Sequence, residues 1–234
     1  MKIFAIGDLH LSLSRPKPMD VFGTHWSDHW SRIRENWVKA GITNEDGVLI
    51  PGDISWAMNL SEATEDISSI GALPGKKLMI RGNHDYWWSS LSKVRSILAE
   101  GTFAIQNDAL RFPGIVICGS RGWTCPGTPG FSQEDNKLYL RELLRLELSL
   151  KEAKKLQTEG DALIAMMHFP PFNEQREPSG FTELFRMFEV DHVVYGHLHG
   201  RSCRNAFEGV SSGVEYTLAS CDHLGFSPKL ITEV

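Results

Sequence analysis

The feature that most constrains this chain is a series of short apolar runs, each ending in a turn that carries Asp, Asn or His. Strand-like runs that alternate with helical patterns are typical of α/β folds with much parallel pairing. The turns beyond the carboxyl ends of such strands gather at one edge of a sheet. The sequence therefore predicts that these turns form one site. The five turns are GDLH at 7–10, PGDIS at 51–55, GNHDY at 82–86, MMHFPP at 166–171 and GHLHG at 196–200.

Hydrophobic periodicity and turn signals assign most of the remaining chain. No internal repeat or low-complexity linker interrupts the pattern, so we expect residues 1–234 to form a single domain. Helices are predicted at 26–39, 60–73, 86–99, 133–157 and 181–188. Strands are predicted at 2–6, 47–50, 77–80, 115–118, 162–167, 192–195 and 214–219, the last of these as the final strand.

Composition excludes several classes of protein. The net charge of -5 disfavours binding to long nucleic acid, which usually needs a basic face. No apolar run approaches the roughly 20 residues that span a membrane, and the N-terminus lacks a secretory apolar stretch. The four cysteines form no CxxC pair, which favours reduced thiols. We therefore expect a cytoplasmic protein.

The five turns supply two carboxylates, one carboxamide and at least four imidazoles. Imidazole suits Zn, Fe, Mn or Ni, and a carboxylate can bridge two ions. Asp8 and His10 are two residues apart, so in an extended segment their side chains would share one face. This donor set predicts a pair of divalent ions, which suits in-line attack on phosphorus.

In order, GDLH, GD, GNHD, the isolated His168 and GHLH resemble the five motifs of calcineurin-like metallophosphoesterases, from residue 3 to about residue 200. The resemblance implies an α/β fold of two packed mixed β-sheets flanked by helices, a four-layer α/β/β/α sandwich. It also implies that Asp53 bridges the two ions and that His84 is the catalytic residue beside them. The ligands implied for the first ion are Asp8, His10, Asp53 and His199. Those implied for the second are Asp53, Asn83, His168 and His197.

The activity that the resemblance implies is metal-dependent hydrolysis of a phosphoric ester. A hydroxide that bridges two divalent ions (Mn, Fe, Zn or Ni) would attack a phosphate mono- or diester in a small phosphorylated substrate. His84 would donate to the leaving oxygen. Two alternatives stay open: a non-catalytic metal-binding scaffold of the same fold, and a nuclease.

One position departs from the family pattern. Phosphoprotein phosphatases usually carry an Asp-Arg pair three and four residues after the bridging Asp, and here these positions are Trp56 and Ala57. Protein phosphatase activity of the calcineurin kind is therefore disfavoured. Adjacent side chains in an extended segment point apart, which argues against Asp85 as a partner for His84. The candidates for a phosphate-binding cation are Arg15, Arg81 and Arg121.

Three loops, at 11–25, 119–130 and 170–180, are expected to wall the pocket, although their residues identify no substrate. Trp87, Trp88 and Trp123 are candidates for contact with substrate, and packing explains them equally well. The histidines outside the motifs are assigned to structure or solvent. They are His25, His29, His192 and His223, with His25 or His223 as an alternative candidate for the pocket wall.

Overall fold

Short runs rich in Val, Ile, Leu and Met form the strands, and the computed structural model describes all of residues 1–234. The strands are β1 (Lys2–Ala5), β2 (Gly47–Ile50), β3 (Lys76–Met79), β4 (Thr102–Ala104), β5 (Ala109–Phe112), β6 (Ile115–Ser120), β7 (Ala162–Met167), β8 (His192–Tyr195), β9 (Gly209–Ser211), β10 (Val214–Leu218) and β11 (Lys229–Glu233). The α-helices are α1 (His29–Lys39), α2 (Leu60–Gly71), α3 (Leu91–Arg95), α4 (Gln133–Leu156) and α5 (Gly180–Met187).

The strands form two mixed sheets. The first has the order β11-β1-β2-β3-β4, and the second has the order β5-β6-β7-β8-β10-β9. In each sheet the central strands are parallel, and the antiparallel strands β11, β5 and β9 lie at the edges. The expected pair of mixed sheets flanked by helices is confirmed. That the chain is a single domain stays a prediction.

Alternation along the central strands explains the layers. In β1, Ile3 faces a core shared by both sheets, whereas Phe4 packs with the apolar face of α1 and α2. In β7, Ile164 lies in the shared core and Leu163 packs with α4 and α5. Strands buried on both faces carry continuous apolar runs, which is why the sequence shows them clearly. None of the helices has the length and apolar character needed to cross a membrane.

The predicted helix at 86–99 is mostly wrong, because only α3 is helical there. Trp87 and Trp88 are both buried. The Trp87 indole donates to Asp85 Oδ1 at 3.0 Å, and the Trp88 indole donates to Gln106 Oε1 at 2.9 Å. These indole contacts anchor the segment before α3 in an irregular conformation. Both residues are therefore core residues, and neither lines the cavity above the metal ligands.

Other element boundaries also differ from the predictions. The first α-helix was predicted to begin at Trp26 but begins at His29. Trp26 is instead the last residue of a short 3-10 turn, Thr24–Trp26. Strands β4, β5, β9 and β11 were not predicted. Each of them lies at a sheet edge, and most have exposed or half-exposed residues that weaken the apolar signal. The final strand is therefore β11, and the strand at 214–219 is not the last.

Candidate metal centre

The five motifs follow the carboxyl ends of parallel strands in both sheets. Asp8, Asp53 and Asn83 follow β1, β2 and β3 of the first sheet. His168 and His197 follow β7 and β8 of the second. The two sheets present these ends on the same side of the molecule, so their turns meet above the core that the sheets share. The structure thus brings together all seven residues predicted as metal ligands.

One group of donor atoms is formed by Asp8, His10 and His199. The two Nε2 atoms of His10 and His199 are 3.4 Å apart. His199 Nε2 lies 3.6 Å from Asp8 Oδ1. These atoms are spaced as the ligands of one cation would be.

A second group is formed by Asp8, Asp53 and His168, so Asp8 belongs to both groups. His168 Nε2 lies 3.5 Å from Asp53 Oδ2 and 2.6 Å from Asn83 Oδ1. His197 Nδ1 lies 3.0 Å from the same Asn83 oxygen. Asp53 Oδ2 is also 3.8 Å from His10 Nε2, so its carboxylate lies between the two groups.

The backbone adopts an unusual conformation at these residues. Asp8, His10, Asp53 and His197 have φ values of 55°, 47°, 49° and 74°. This left-handed region is uncommon for residues other than Gly and costs about 1–3 kcal/mol per residue. The expectation that Asp8 and His10 share a face of an extended segment is therefore wrong, because each side chain reaches the site from a left-handed turn.

Hydrogen bonds between the turns hold this conformation. The Asp8 N–H donates to Gly52 O at 3.0 Å. The N–H of His197 donates to Asp8 Oδ1 at 3.0 Å, and that of His84 donates to Asp53 Oδ1 at 2.8 Å. Carboxylates that accept backbone N–H groups are fixed in position, so the site is preorganised.

Two glycines leave room for these carboxylates. A Cβ at Gly82 would overlap the carboxylate of Asp53, and a Cβ at Gly196 would overlap that of Asp8. Glycine is therefore required at the first position of GNHD and of GHLH, because a carboxylate of another motif lies against its Cα.

The protonation pattern shows that the donor set fits a cation. His168 Nδ1 lies 3.0 Å from Pro51 O, so Nδ1 carries a proton and donates it to that carbonyl. Burial lowers the pKa of His168, and it lowers the pKa of His197 to about 3. With Nδ1 donating to Pro51, His168 presents Nε2 as an acceptor 3.5 Å from the carboxylate of Asp53. An imidazole nitrogen and a carboxylate oxygen at this spacing can both be ligands of one metal ion, so these residues fit a metal ion.

The carboxyl groups respond to their neighbours in opposite directions. Burial and then the negative charge of Asp8 raise the pKa of Asp53 to about 7. Burial acts to raise the pKa of Asp8, but the hydrogen bond and positive charge of His199 outweigh burial and hold that pKa below its usual range. Of these two neighbouring buried carboxyl groups, Asp8 is therefore stabilised in its charged form by His199, whereas the charged form of Asp53 is disfavoured.

Asp222 is a site residue that the sequence reasoning missed. Its Oδ1 lies 2.8 Å from His199 Nδ1, and its Oδ2 accepts from the N–H of Gly200 at 2.9 Å. Burial lowers the pKa of His199, but hydrogen bonds to Asp222 and Asp8 outweigh burial and raise it to about 10. Asp222 follows β10, a parallel strand of the second sheet, so the rule that located the other turns could have found it.

His84 lies at the mouth of the centre beside Trp56. The two ring centroids are 4.6 Å apart, and Trp56 also stacks on His10 at 4.8 Å. No protein group accepts or donates a hydrogen bond at the His84 ring, and burial lowers its pKa. An aromatic ring, that of Trp56, thus packs beside His84 at the position where phosphoprotein phosphatases carry the Asp of their Asp-Arg pair.

Asp85 does not contact the His84 ring. Its carboxylate accepts from the N–H of Gly82 at 2.7 Å and from the N–H of Ile54 at 2.9 Å. It therefore ties the GNHD turn to the PGDIS turn and has a structural role.

A cavity of about 300 Å³ opens above the donor atoms. The loop at 11–25 supplies part of its wall, together with Trp26 and Trp56, as expected for that loop. His25 also lines the cavity, so its assignment to structure or solvent is wrong. The loops at 119–130 and 170–180 instead line a second cavity, of about 150 Å³, on the other side of His197. The remaining wall residues of the first cavity are Met19, Phe22 and Gly200.

None of the three candidate arginines lines this cavity. Arg15 is exposed and lies 3.9 Å from Glu62, and Arg81 and Arg121 line a separate cavity. Lys17 does not line it either, although its Nζ lies over the Trp56 ring, 3.8 Å from the ring centroid. The sequence did not single out Lys17, because it lies in an irregular Pro-rich segment with no spacing to a motif. Trp123 lies outside the cavity, and its indole donates to Asp135.

Comparison with known proteins agrees with this geometry. The family model for calcineurin-like phosphoesterases matches residues 1–201. No curated protein matches the chain.

Two solved structures share the fold. A protein of unknown function, AQ665 from Aquifex aeolicus, has a TM-score of 0.50 and 15% identity over 98% of this chain and 95% of its own. TT1561 of Thermus thermophilus has a TM-score of 0.50 and 12% identity over 84% of this chain and 81% of its own. At these identities the likeness shows the fold alone.

We predict that Asp222→Ala weakens metal binding about 10- to 100-fold, since partners that orient a ligating imidazole typically contribute that much. The measurement is titration of chelator-treated protein with Mn²⁺ or Zn²⁺. Asp20→Ala is the matched control, because Asp20 is an exposed carboxylate of the pocket loop that has no contact with the donor atoms. An Asp222→Ala protein that binds metal as tightly as the control would contradict the assignment.

Proposed function

This chain belongs to the calcineurin-like phosphoesterase family, and on that premise we propose that it is a dinuclear metal-dependent hydrolase of phosphate mono- or diesters. The observation that supports the proposal most strongly is the convergence of all seven donor residues around the Asp53 carboxylate. No ligand position of the five motifs is lost, as it would be in a scaffold that had abandoned chemistry.

The division of the residues between two ions follows the resemblance to the family motifs. When bound, the pair of divalent ions (Mn, Fe, Zn or Ni) supplies an ionised water near neutral pH and offsets the charge on the phosphoryl oxygens. The residues that would hold one ion are Asp8, His10, Asp53 and His199. Those that would hold the other are Asp53, Asn83, His168 and His197.

His84 is the catalytic residue in this proposal. Its ring faces the cavity and has no protein hydrogen-bond partner, so a ring N–H is free to donate to an oxygen of the substrate. A donor placed beside the leaving oxygen stabilises the charge that develops there. Trp56 fixes the ring by packing, since no carboxylate holds it.

The shape and lining of the cavity favour a small organic phosphate. About 300 Å³ is at the lower end of the range for ligand pockets. Trp26, Phe22 and Met19 offer an apolar wall to the organic part of the substrate. The missing Asp-Arg pair and the net charge of -5 disfavour phosphoproteins and long nucleic acid, respectively. We therefore propose a small phosphorylated metabolite as the substrate.

The first test is hydrolysis of aryl phosphate mono- and diesters by protein supplied with Mn²⁺. We expect His84→Ala to lower kcat by about 100-fold or more, because a general acid or donor contributes about 10²–10⁴. Its metal content should stay that of the wild type. Asp53→Asn should lose both activity and metal. His223→Ala is the control, since that imidazole contacts Glu208 outside the cavity.

Three outcomes would contradict the proposal. A metal-loaded protein that is inert on mono-, di- and cyclic esters would favour the non-catalytic scaffold. Salt-dependent binding and cleavage of DNA, with no turnover of small esters, would favour the nuclease. Full activity in His84→Ala would remove that residue from the chemistry.

The second test concerns Lys17. A cation above the Trp56 wall should favour a dianionic monoester over a monoanionic diester by about 1 kcal/mol, the usual size for partly screened charges. We therefore expect Lys17→Ala to raise KM for the monoester about fivefold and to change KM for the diester less. Lys17→Arg should retain the preference. Lys39→Ala, on the exposed face of α1, serves as control, and equal effects on both esters would refute this role.

A further inference from the structure

A second cluster of charged side chains lies where the two sheets meet, beyond the ends of β3, β4 and β6. It surrounds a cavity of about 70 Å³ that shares no lining residue with the metal centre. Three of the wall residues are arginines, and one is a glutamate. The polar residues of the wall are Arg81, Gln106, Asn107, Ser120, Arg121, Glu142 and Arg145.

Positive charge exceeds negative charge in this cavity. Glu142 is 1% exposed, and its Oε1 accepts from Arg145 Nη1 at 2.7 Å and from Arg121 Nη2 at 3.4 Å. Arg141 Nη2 lies 3.5 Å from the same oxygen. One carboxylate therefore faces three guanidinium groups, two of which line the cavity, and Arg81 is the third cation of the wall.

Arg81 has no partner within the protein. It donates no hydrogen bond, and its Nε atom is buried without an acceptor. Arg121 Nε is also buried without an acceptor. Burial lowers the pKa of Arg121, Glu142 opposes that effect, and the nearby charges of Arg81, Arg141 and Arg145 reinforce it. Buried N–H donors of charged groups are costly when unpaired, so a ligand that accepts from them would be stabilising.

We propose that this cavity binds a tetrahedral oxyanion, for which inorganic phosphate is the natural probe. Planar guanidinium groups bind phosphate oxygens through their N–H donors, and the Nε–H groups of Arg81 and Arg121 have no acceptor in the protein. A volume of about 70 Å³ admits one small ion. It is far below the roughly 300–1,000 Å³ of pockets that enclose drug-sized ligands.

The cavity is adjacent to the metal centre through the backbone. Arg81 directly precedes the GNHD turn. Arg121 O accepts from the N–H of His168 at 3.1 Å and from that of Phe169 at 3.0 Å. The anion would therefore hold the segments next to two proposed metal ligands while touching neither. The proposal does not depend on hydrolysis by the metal centre.

The test uses the full chain after treatment with a chelator, so that no metal-bound phosphate contributes. Calorimetric titration with inorganic phosphate at constant ionic strength should show saturable binding. We expect Arg81→Gln to weaken that binding at least tenfold. Arg34→Gln, which alters an exposed guanidinium on α1, should leave it unchanged. His84→Ala should also retain it, which separates this proposal from the one on hydrolysis.

Thermal unfolding gives an independent readout. Because Arg81 makes no hydrogen bond and faces like charges, Arg81→Gln should melt at the same temperature as the wild type or higher in phosphate-free buffer. It should lose the rise in Tm that phosphate gives the wild type. If Arg81→Gln fails to fold, Arg145→Gln is the second variant, because it removes another positive charge of the cavity wall, on α4, and should also weaken phosphate binding.

The outcomes decide the proposal. Absence of saturable phosphate binding by the chelated wild type, or unchanged binding by Arg81→Gln, would overturn it. Titration with AMP distinguishes the two sources of the ligand. Binding that depends on Arg81 would show that the phosphate group of an organic molecule reaches the cavity. Binding of inorganic phosphate alone would show that the free ion is the ligand.

Discussion

The structure depends on holding seven carboxylate, amide and imidazole donors together in a mostly buried site, where each polar atom needs a charged or hydrogen-bonding partner. His168 Nε2 lies 3.5 Å from Asp53 Oδ2, and the Nε2 atoms of His10 and His199 are 3.4 Å apart. Left-handed φ values at four of the ligands add to the cost. A fold retains such a strained arrangement where the binding of a ligand offsets its free-energy cost. We propose that this ligand is a pair of divalent cations, which these donors fit.

Two packed sheets make this arrangement possible. Each sheet alone presents only some of the ligands, and the shared apolar core aligns the carboxyl ends of both sheets. Backbone N–H groups of one turn bind the carboxylate of the next, as His197 does with Asp8. The seam between the sheets also leaves the space that Arg81 and Arg121 line. The metal centre and the arginine cavity thus arise from the same packing of sheet on sheet.

The sequence predicted the turns well because strands buried on both faces are continuous apolar runs, and each run ended in a polar motif. It failed where tertiary contacts override local pattern: Trp87 and Trp88 are anchored in the core, so the segment at 86–99 is largely irregular. Asp222 was missed because it lies four residues after the end of β10 and outside the five motifs, and Lys17 was not singled out because it lies in an irregular loop. The spacing of the candidate arginines from the motifs could not show which cavity each of them lines.

The most direct measurement of the central claim is anomalous diffraction from crystals soaked with Mn²⁺ or Zn²⁺. The account predicts two anomalous peaks, one on each side of the Asp53 carboxylate, with His10 and His199 beside one and His168 and His197 beside the other. A single peak, or none at saturating metal, would contradict it.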